Sequence, residues 1–282
     1  EKPMHLYYSS RSKNGPFAVV LLLIVCAFFT PYTQAQNSPV YAAIDHIEFF
    51  VTDIERALTF YTHLFGNDLW KNKQTERRYL VMGASYMALE QRSPARIDHV
   101  CFGINQFDIA TVHSFLDGQG IVWQDYPSGN DLWAEDHDKI RIQLGPNNSW
   151  TQLSQSTALP ETYIQNSPPI FKAIEIDEIF VNVSNMEVDS LYYARLLDQT
   201  GVLQAGSLWF RVGNARLRLT QVPVGQSPGI NYFSVLVSTT DLAAAAEAVF
   251  AAGGIIETIL VDGFSFWDPD GHRVVVRTTP KL

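Results

Sequence analysis

The chain has 282 residues, enough for one large or two ordinary domains. Hydrophobic residues make up 46% and charged residues 17%, which supplies a packed core and excludes a largely disordered chain. The formal net charge of -9 excludes a general nucleic-acid binder, which needs a basic face to release counterions.

Residues 1–35 have the pattern of an export signal. Arg11 and Lys13 precede the uncharged 13-residue run Phe17–Phe29, and Thr33-Gln34-Ala35 ends in a small residue where signal peptidase can cut. A membrane anchor needs roughly 20 apolar residues, more than this run offers. Cys26 follows Val25 rather than a small residue, which argues against lipidation. The expectation is a cleaved signal, a secreted or periplasmic protein, and no stable membrane insertion after cleavage. Cleavage leaves one cysteine, Cys101, so no internal disulfide forms and stability rests on the core.

Four segments then open alike: Ile44-Asp45-His46-Ile47, Ile97-Asp98-His99-Val100, Ile176-Asp177-Glu178-Ile179 and Ile230-Asn231-Tyr232-Phe233. The first two starts are 53 residues apart and the last two 54, the mark of an internal repeat. Each start opens an alternating strand, followed by a helix and further strands. In the first unit Asp53 caps a helix carrying Ile54, Leu58, Tyr61 and Phe65 on one face, and Gly66 ends it. The second unit offers Ile109, Val112 and Leu116 before Gly118, and the third Val188, Leu191 and Tyr192. The fourth offers Asp241 and an alanine-rich run to Phe250, stopped by Gly253-Gly254. Ser93-Pro94-Ala95 joins units one and two. Residues 146–172, rich in Pro, Asn, Ser and Gln, form a linker between domains at 42–145 and 173–282.

Strand alternation sorts the side chains onto two faces. Ile47, Phe49 and Val51 oppose His46, Glu48 and Phe50. Val100 and Phe102 oppose His99 and Cys101. Ile140, Ile142 and Leu144 oppose Arg141 and Gln143, and Met87 and Leu89 oppose Ala88 and Glu90. One face is apolar and packs on helices. The other gathers histidines, carboxylates, an arginine and an amide, as a cavity lining does. Glu48 and Arg141 face this cavity either as substrate contacts or as an ion pair bridging strands, with the pair favoured. His137 sits in a loop near the cavity mouth and is a further substrate-contact candidate. Tyr126 and Trp133 are placed to form a lid or simply to pack, and Cys101 reads as a buried small residue rather than a nucleophile.

These residues resemble the vicinal oxygen chelate superfamily, which includes glyoxalase I, extradiol dioxygenases and bleomycin-resistance proteins. The resemblance rests on Ile44-Asp45-His46, on the helix ending Phe60-Tyr61-Thr62-His63-Leu64-Phe65-Gly66, and on Ile97-Asp98-His99. The turn Asp268-Pro269-Asp270-Gly271-His272, with Asp136-His137-Asp138 as its looser counterpart, completes it. The resemblance implies an α+β fold of four β-α-β-β-β units paired into two open barrels around a divalent metal. It implies His46, Glu90, His99 and Gln143 as metal ligands, with Gln143 where the family usually has Glu. Such a set suits Zn, Fe(II), Mn, Ni or Co. The second domain places Glu178, Thr220, Tyr232 and Val275 at the same positions, so no metal is expected there. Only pairing of unit one with unit two collects all four ligands, while exchange between identical domains in a homodimer stays open.

Two functions follow. In the first, an exported metal-dependent enzyme chelates neighbouring oxygens of a small-molecule substrate, with Glu90 as catalytic base. Isomerase, lyase or epimerase chemistry fits the ligand set, and extradiol ring cleavage, normally two His and one carboxylate, is kept open. The alternative is a non-catalytic small-molecule binding protein of the bleomycin-resistance kind. A third possibility, a structural partner in a secreted assembly, has no feature arguing for it.

Overall fold

The computed structural model describes residues 38–66, 69–71, 77–127, 129–149, 168–238 and 241–280. The 1–35 leader and most of the linker lie outside them. Residues 37–282 form one compact unit, and no helix among the described residues is long and apolar enough to cross a membrane.

The first half begins with β1 (Tyr41–Val51) and α1 (Ile54–Phe65), followed by β2 (Leu69–Lys71), β3 (Arg78–Met82) and β4 (Ser85–Gln91). It repeats as β5 (Arg96–Ile104), α2 (Ile109–Gln119), β6 (Trp123–Asp125), β7 (Leu132–Glu135) and β8 (Arg141–Pro146). The second half runs β9 (Ala173–Val183), α3 (Met186–Leu197), β10 (Val202–Gln204), β11 (Ser207–Val212) and β12 (Ala215–Gln221). It closes with β13 (Gly229–Val237), α4 (Leu242–Ala251), β14 (Ile255–Ile259), β15 (Gly263–Trp267) and β16 (Arg273–Arg277). The mixed α+β class expected from sequence is the class observed.

The helix signals act as read. Asp53 accepts from Glu55 N and Arg56 N, Gly66 ends α1, and Asp241 accepts from Ala244 N. The phase of α3 differs from expectation. Val188 and Leu191 are exposed, and the buried stripe is Asp189, Tyr192, Tyr193, Leu196 and Leu197. Tyr193 turns inward because its hydroxyl has a partner in the other half.

Each half is one sheet. β1 pairs antiparallel with β5, and the two strands carry β4 and β8 in parallel on their outer sides. Thus unit one joins unit two, and β9 with β13 repeats the plan. A single bridge, Ile44 to Ile176, links the two sheets. In the first half, Arg77, just before β3, donates through Nη1 to the hydroxyl of Tyr126, just after β6. Those strands lie toward opposite edges of the sheet, so this bond records its curl.

Reciprocal contacts hold the halves together. Tyr61 of α1 donates to Asp268 Oδ2 at 2.7 Å, and Tyr193 of α3 donates to Asp136 Oδ2 at 2.9 Å. Thr52 N meets Asp270 as Ser184 N meets Asp138. Gly83 packs on the carbonyl of Ile174, and Gly213 on that of Ala42. A Cβ there would lie 2.1 Å and 1.8 Å from those oxygens, and both residues have positive φ, so only glycine fits. The turn motif Asp268-Pro269-Asp270-Gly271 therefore does two jobs. Asp268 Oδ1 accepts the backbone N–H of Asp270 and His272, and Oδ2 receives Tyr61 from the opposite half.

Candidate metal centre

The four repeat starts share a feature that alternation does not reveal. Each carries a register irregularity that skips its second residue: Asp45, Asp98, Asp177 and Asn231. A bulge sets two residues opposite one and re-aims a side chain. In the first half it brings each aspartate beside the histidine that follows. His46 Nδ1 lies 3.0 Å from Asp45 Oδ2, and His99 Nδ1 lies 3.1 Å from Asp98 Oδ2. A carboxylate only accepts, so each Nδ1 carries a proton, and in the neutral ring Nε2 then keeps a lone pair. Asp45 is fixed in turn by Ser149 N and Oγ, and Asp98 by Arg96 and Arg141.

The two imidazoles converge, with ring centroids 5.6 Å apart at 77°. His46 stacks on Tyr86 at 4.4 Å. His46 Nε2 faces Gln143 Oε1 at 3.2 Å. With Nδ1 donating to Asp45, these two atoms present lone pairs to the same point. A cation between them, the amide turned to offer N–H, or a proton on Nε2 donated to Oε1 satisfies both. Their spacing suits two ligands at adjacent corners of one coordination sphere with bonds of about 2.1 Å. Burial pulls the His99 imidazolium down to about 4, so the ring is neutral at pH 7, as a ligand must be. The residues present therefore fit a divalent metal.

Of the four ligands expected from sequence, His46, His99 and Gln143 come together, all buried. Glu90 does not join them. Cross-strand register explains this: Ala88 lies opposite Glu48 as Gln143 lies opposite Cys101, so Ala88 is the counterpart of Gln143. Glu90 is one pleat further and matches Gly145. It is held at the rim, where Arg77 Nε lies 2.9 Å from both Glu90 Oε2 and Glu48 Oε1. Burial raises the Glu90 carboxyl, but the bonds from Arg77 and Glu48 bring it below its usual value.

Glu48 and Arg141 do not pair with each other, because His99 stands between them in the same cross-strand row. Glu48 instead lies 3.4 Å from His99 Nδ1, and burial pushes its carboxyl up to about 8 against the pull of Arg77. Arg141 stacks over Trp133 at 4.1 Å and meets Asp98. His137 lies with Asp138 and Asp189 beside α3, half exposed, and makes no contact with the histidine pair among the described residues. Its turn belongs to the contact between halves rather than to the cavity. Tyr126 and Trp133 pack edge to face at 5.3 Å.

Sequence reasoning missed Asp45, Asp98, Arg77 and Asp131. The repeated Ile-Asp-His was the available signal for the first two. Asp131 faces Gln143 and His46, and burial pushes its carboxyl up to about 6. Cys101 offers a further ligand atom, within 4.8 Å of those of Asp45 and His46, though burial pushes its thiol far above the usual range.

Residues 43–114 match the family model described as the Glyoxalase/Bleomycin resistance protein/Dioxygenase superfamily. No curated protein sequence matches the chain. The fold is similar to that of the 2,3-dioxygenase LapB from Pseudomonas sp. KL28, with 15% identity and a TM-score of 0.66, covering 86% of this chain and 94% of that one. It is equally similar to homoprotocatechuate 2,3-dioxygenase from Brevibacterium fuscum, solved with 3,4-dihydroxyphenylacetate. There the identity is 14% and the TM-score 0.66, covering 88% and 83%. The sequence likeness to that family thus covers the first repeat and the opening of the second, and the likeness of fold to these structures covers most of the chain.

Proposed function

We propose that the chain is an exported, metal-dependent enzyme of the vicinal oxygen chelate type, acting on a small substrate with two neighbouring oxygens. The observation that carries this reading is the convergence of His46 Nε2 and Gln143 Oε1 at 3.2 Å beside His99, with each histidine oriented by its own aspartate. Such a metal, when bound, supplies Lewis-acid activation of the chelated oxygens. With Ala88 rather than a ligand at the repeat position that matches Gln143, the protein offers three donors instead of four. Three donors with open positions match the ligand count of a ring-cleaving dioxygenase, with the Gln143 amide standing where such a site has a carboxylate.

The protein's own groups divide the remaining work. Asp45 and Asp98 hold the imidazole tautomers. Glu48, whose carboxyl burial raises beside His99, is the acid–base group next to the centre, a role first expected of Glu90. Arg77 ties Glu48 to the rim and, with Tyr126, closes the edge of the sheet.

Metal analysis of the purified chain tests this directly. The expectation is one divalent ion per chain, lost in His46→Ala and His99→Ala, and turnover of catechols in preference to diketones or hydroxy acids. Absence of stoichiometric metal after reconstitution with Fe(II), Mn(II) and Zn(II) would sink the reading. The neutral amide of Gln143 favours a second reading, ligand sequestration without turnover. Metal binding with no product from any substrate class would select it.

A further inference from the structure

The second half contains a cavity of about 330 Å³, lined among others by Phe180, Arg218, Tyr232, Arg273, Val275 and Arg277. It occupies the face that carries the histidines in the first half. By register, Glu178 and Tyr232 stand where His46 and His99 stand, Val275 stands where Gln143 stands, and Arg218 takes the place of Ala88. A fixed guanidinium thus projects from the strand position that in the first half is kept small.

Three of the four arginines around this cavity each have a carboxylate within ion-pair range. Arg273 Nε meets Glu257 at 2.5 Å, and Arg277 Nη1 meets Asp262 at 3.3 Å. Behind them Arg216 answers Glu178, while burial pushes the Asp177 carboxyl upward. Arg218 donates only to hydroxyls, to Ser207 Oγ at 2.9 Å and to Tyr232 at 3.4 Å. Among the described residues no carboxylate pairs with it. Arg277 is 5% exposed, and its Nε has no hydrogen-bond partner. Trp209 Nε1 is likewise buried without one among the described residues. Buried donors of this kind are costly unless something accepts from them.

We propose that this cavity binds a small organic monocarboxylate with a flat, apolar body. Its carboxylate meets Arg218 and the free donor of Arg277, and its body lies against Phe180, Tyr232 and Val275. The cavity volume is at the lower end for small-molecule sites. A planar guanidinium recognises a carboxylate through paired N–H donors. The Arg218 plane is already set by Phe180, whose ring centre is 4.4 Å from its central carbon. Arg218, the one arginine here with no carboxylate partner among the described residues, favours an anionic group, and the apolar side selects an organic ion over an inorganic one.

Calorimetric titration of the full chain with benzoate, benzamide and inorganic phosphate tests the proposal. Benzoate should bind one to one, with benzamide and phosphate each weaker by about tenfold or more. Arg218→Gln should weaken benzoate by about tenfold or more with an unchanged circular dichroism spectrum. His46→Ala should bind benzoate like the wild type, which separates this site from the first half. Should Arg218→Gln fail to fold, Arg273→Gln at the cavity rim should weaken benzoate by about threefold or more. Benzamide or phosphate binding as tightly as benzoate, an unaltered affinity in the arginine variant, loss of binding in His46→Ala, or no saturable binding up to about 10 mM would each overturn it.

Discussion

Replacing Gln143 with Glu separates a metal ligand from a side chain that merely fills space. Gln143 is 6% exposed and stands between His46 Nε2 and Asp131, whose carboxyl burial already pushes up to about 6. Without metal, Gln143→Glu removes the amide donor facing Asp131 and sets a second carboxyl in its place. The two groups then compete for one proton in a buried site. The cost is that of a buried group stripped of its partner, about 2 kcal/mol. In a unit of this size that lowers the thermal midpoint by about 4–8 °C. A bound divalent ion reverses the sign, because the new carboxylate becomes an anionic ligand where an amide stood. An affinity gain of about tenfold adds about 1.4 kcal/mol of stabilisation at saturating metal. The assay is differential scanning calorimetry of metal-stripped wild type and variant, each with and without excess Mn(II). The variant should melt lower when stripped and show the larger upward shift with Mn(II). A stripped variant as stable as wild type, or equal Mn(II) shifts in both, would place Gln143 outside the coordination sphere and refute the reasoning.

Three further outcomes follow from named contacts. Tyr193→Phe should cost about 3 kcal/mol and Tyr61→Phe about 1.5 kcal/mol at pH 7, because Asp268 Oδ2 keeps a second partner in His272 Nδ1 while Asp136 Oδ2 has Tyr193 alone among the described residues; equal losses in urea unfolding would contradict this. Asp98→Ala should weaken metal binding by about 10–100-fold, whereas Arg96→Ala, which removes only an outer partner of that carboxylate, should change it by less than about twofold; competition with a metal-sensitive dye measures both. Burial pushes the Asp136 carboxyl from 3.8 to about 6, so the folded chain holds a proton that the unfolded chain releases. That contribution is complete below about pH 4 and is lost as pH rises through about 6, so wild type should lose up to about 3 kcal/mol relative to Asp136→Asn between those limits; a difference that stays flat with pH would show that Asp136 does not titrate this way.

Local chemistry was legible in the sequence where it depends on near neighbours. Asp53 and Asp241 cap helices because their side chains reach N–H groups two or three residues on. Strand alternation sorted His46, His99 and Gln143 onto one face. Three things were not legible. The bulges at Asp45 and Asp98 break the alternation that would send those side chains to the apolar face. The offset between the repeat starts does not carry through to their last strands, because the intervening loops differ in length, so Glu90 was aligned with Gln143 one pleat too far. The inward face of α3 is set by Asp136, 57 residues from Tyr193, and no periodicity within the helix encodes that contact.

The two halves show how little must change to turn one kind of site into another. The backbone device is constant: a bulge at the second residue of each start aims the third into the concave face. In the first half the aimed residues are imidazoles, the facing residue is an amide, and the remaining position is Ala88. These are neutral donors around a small gap, a set that gains most from an added cation. In the second half Arg218 stands at that position, and the aimed residues are Glu178 and Tyr232, joined by a 2.6 Å hydrogen bond. A guanidinium and a divalent ion cannot share that volume, because like charges at such range in a buried site repel strongly. The substitution at this one position therefore adds a fixed positive charge where the first half has a small side chain, and the natural complement of that charge is an anion.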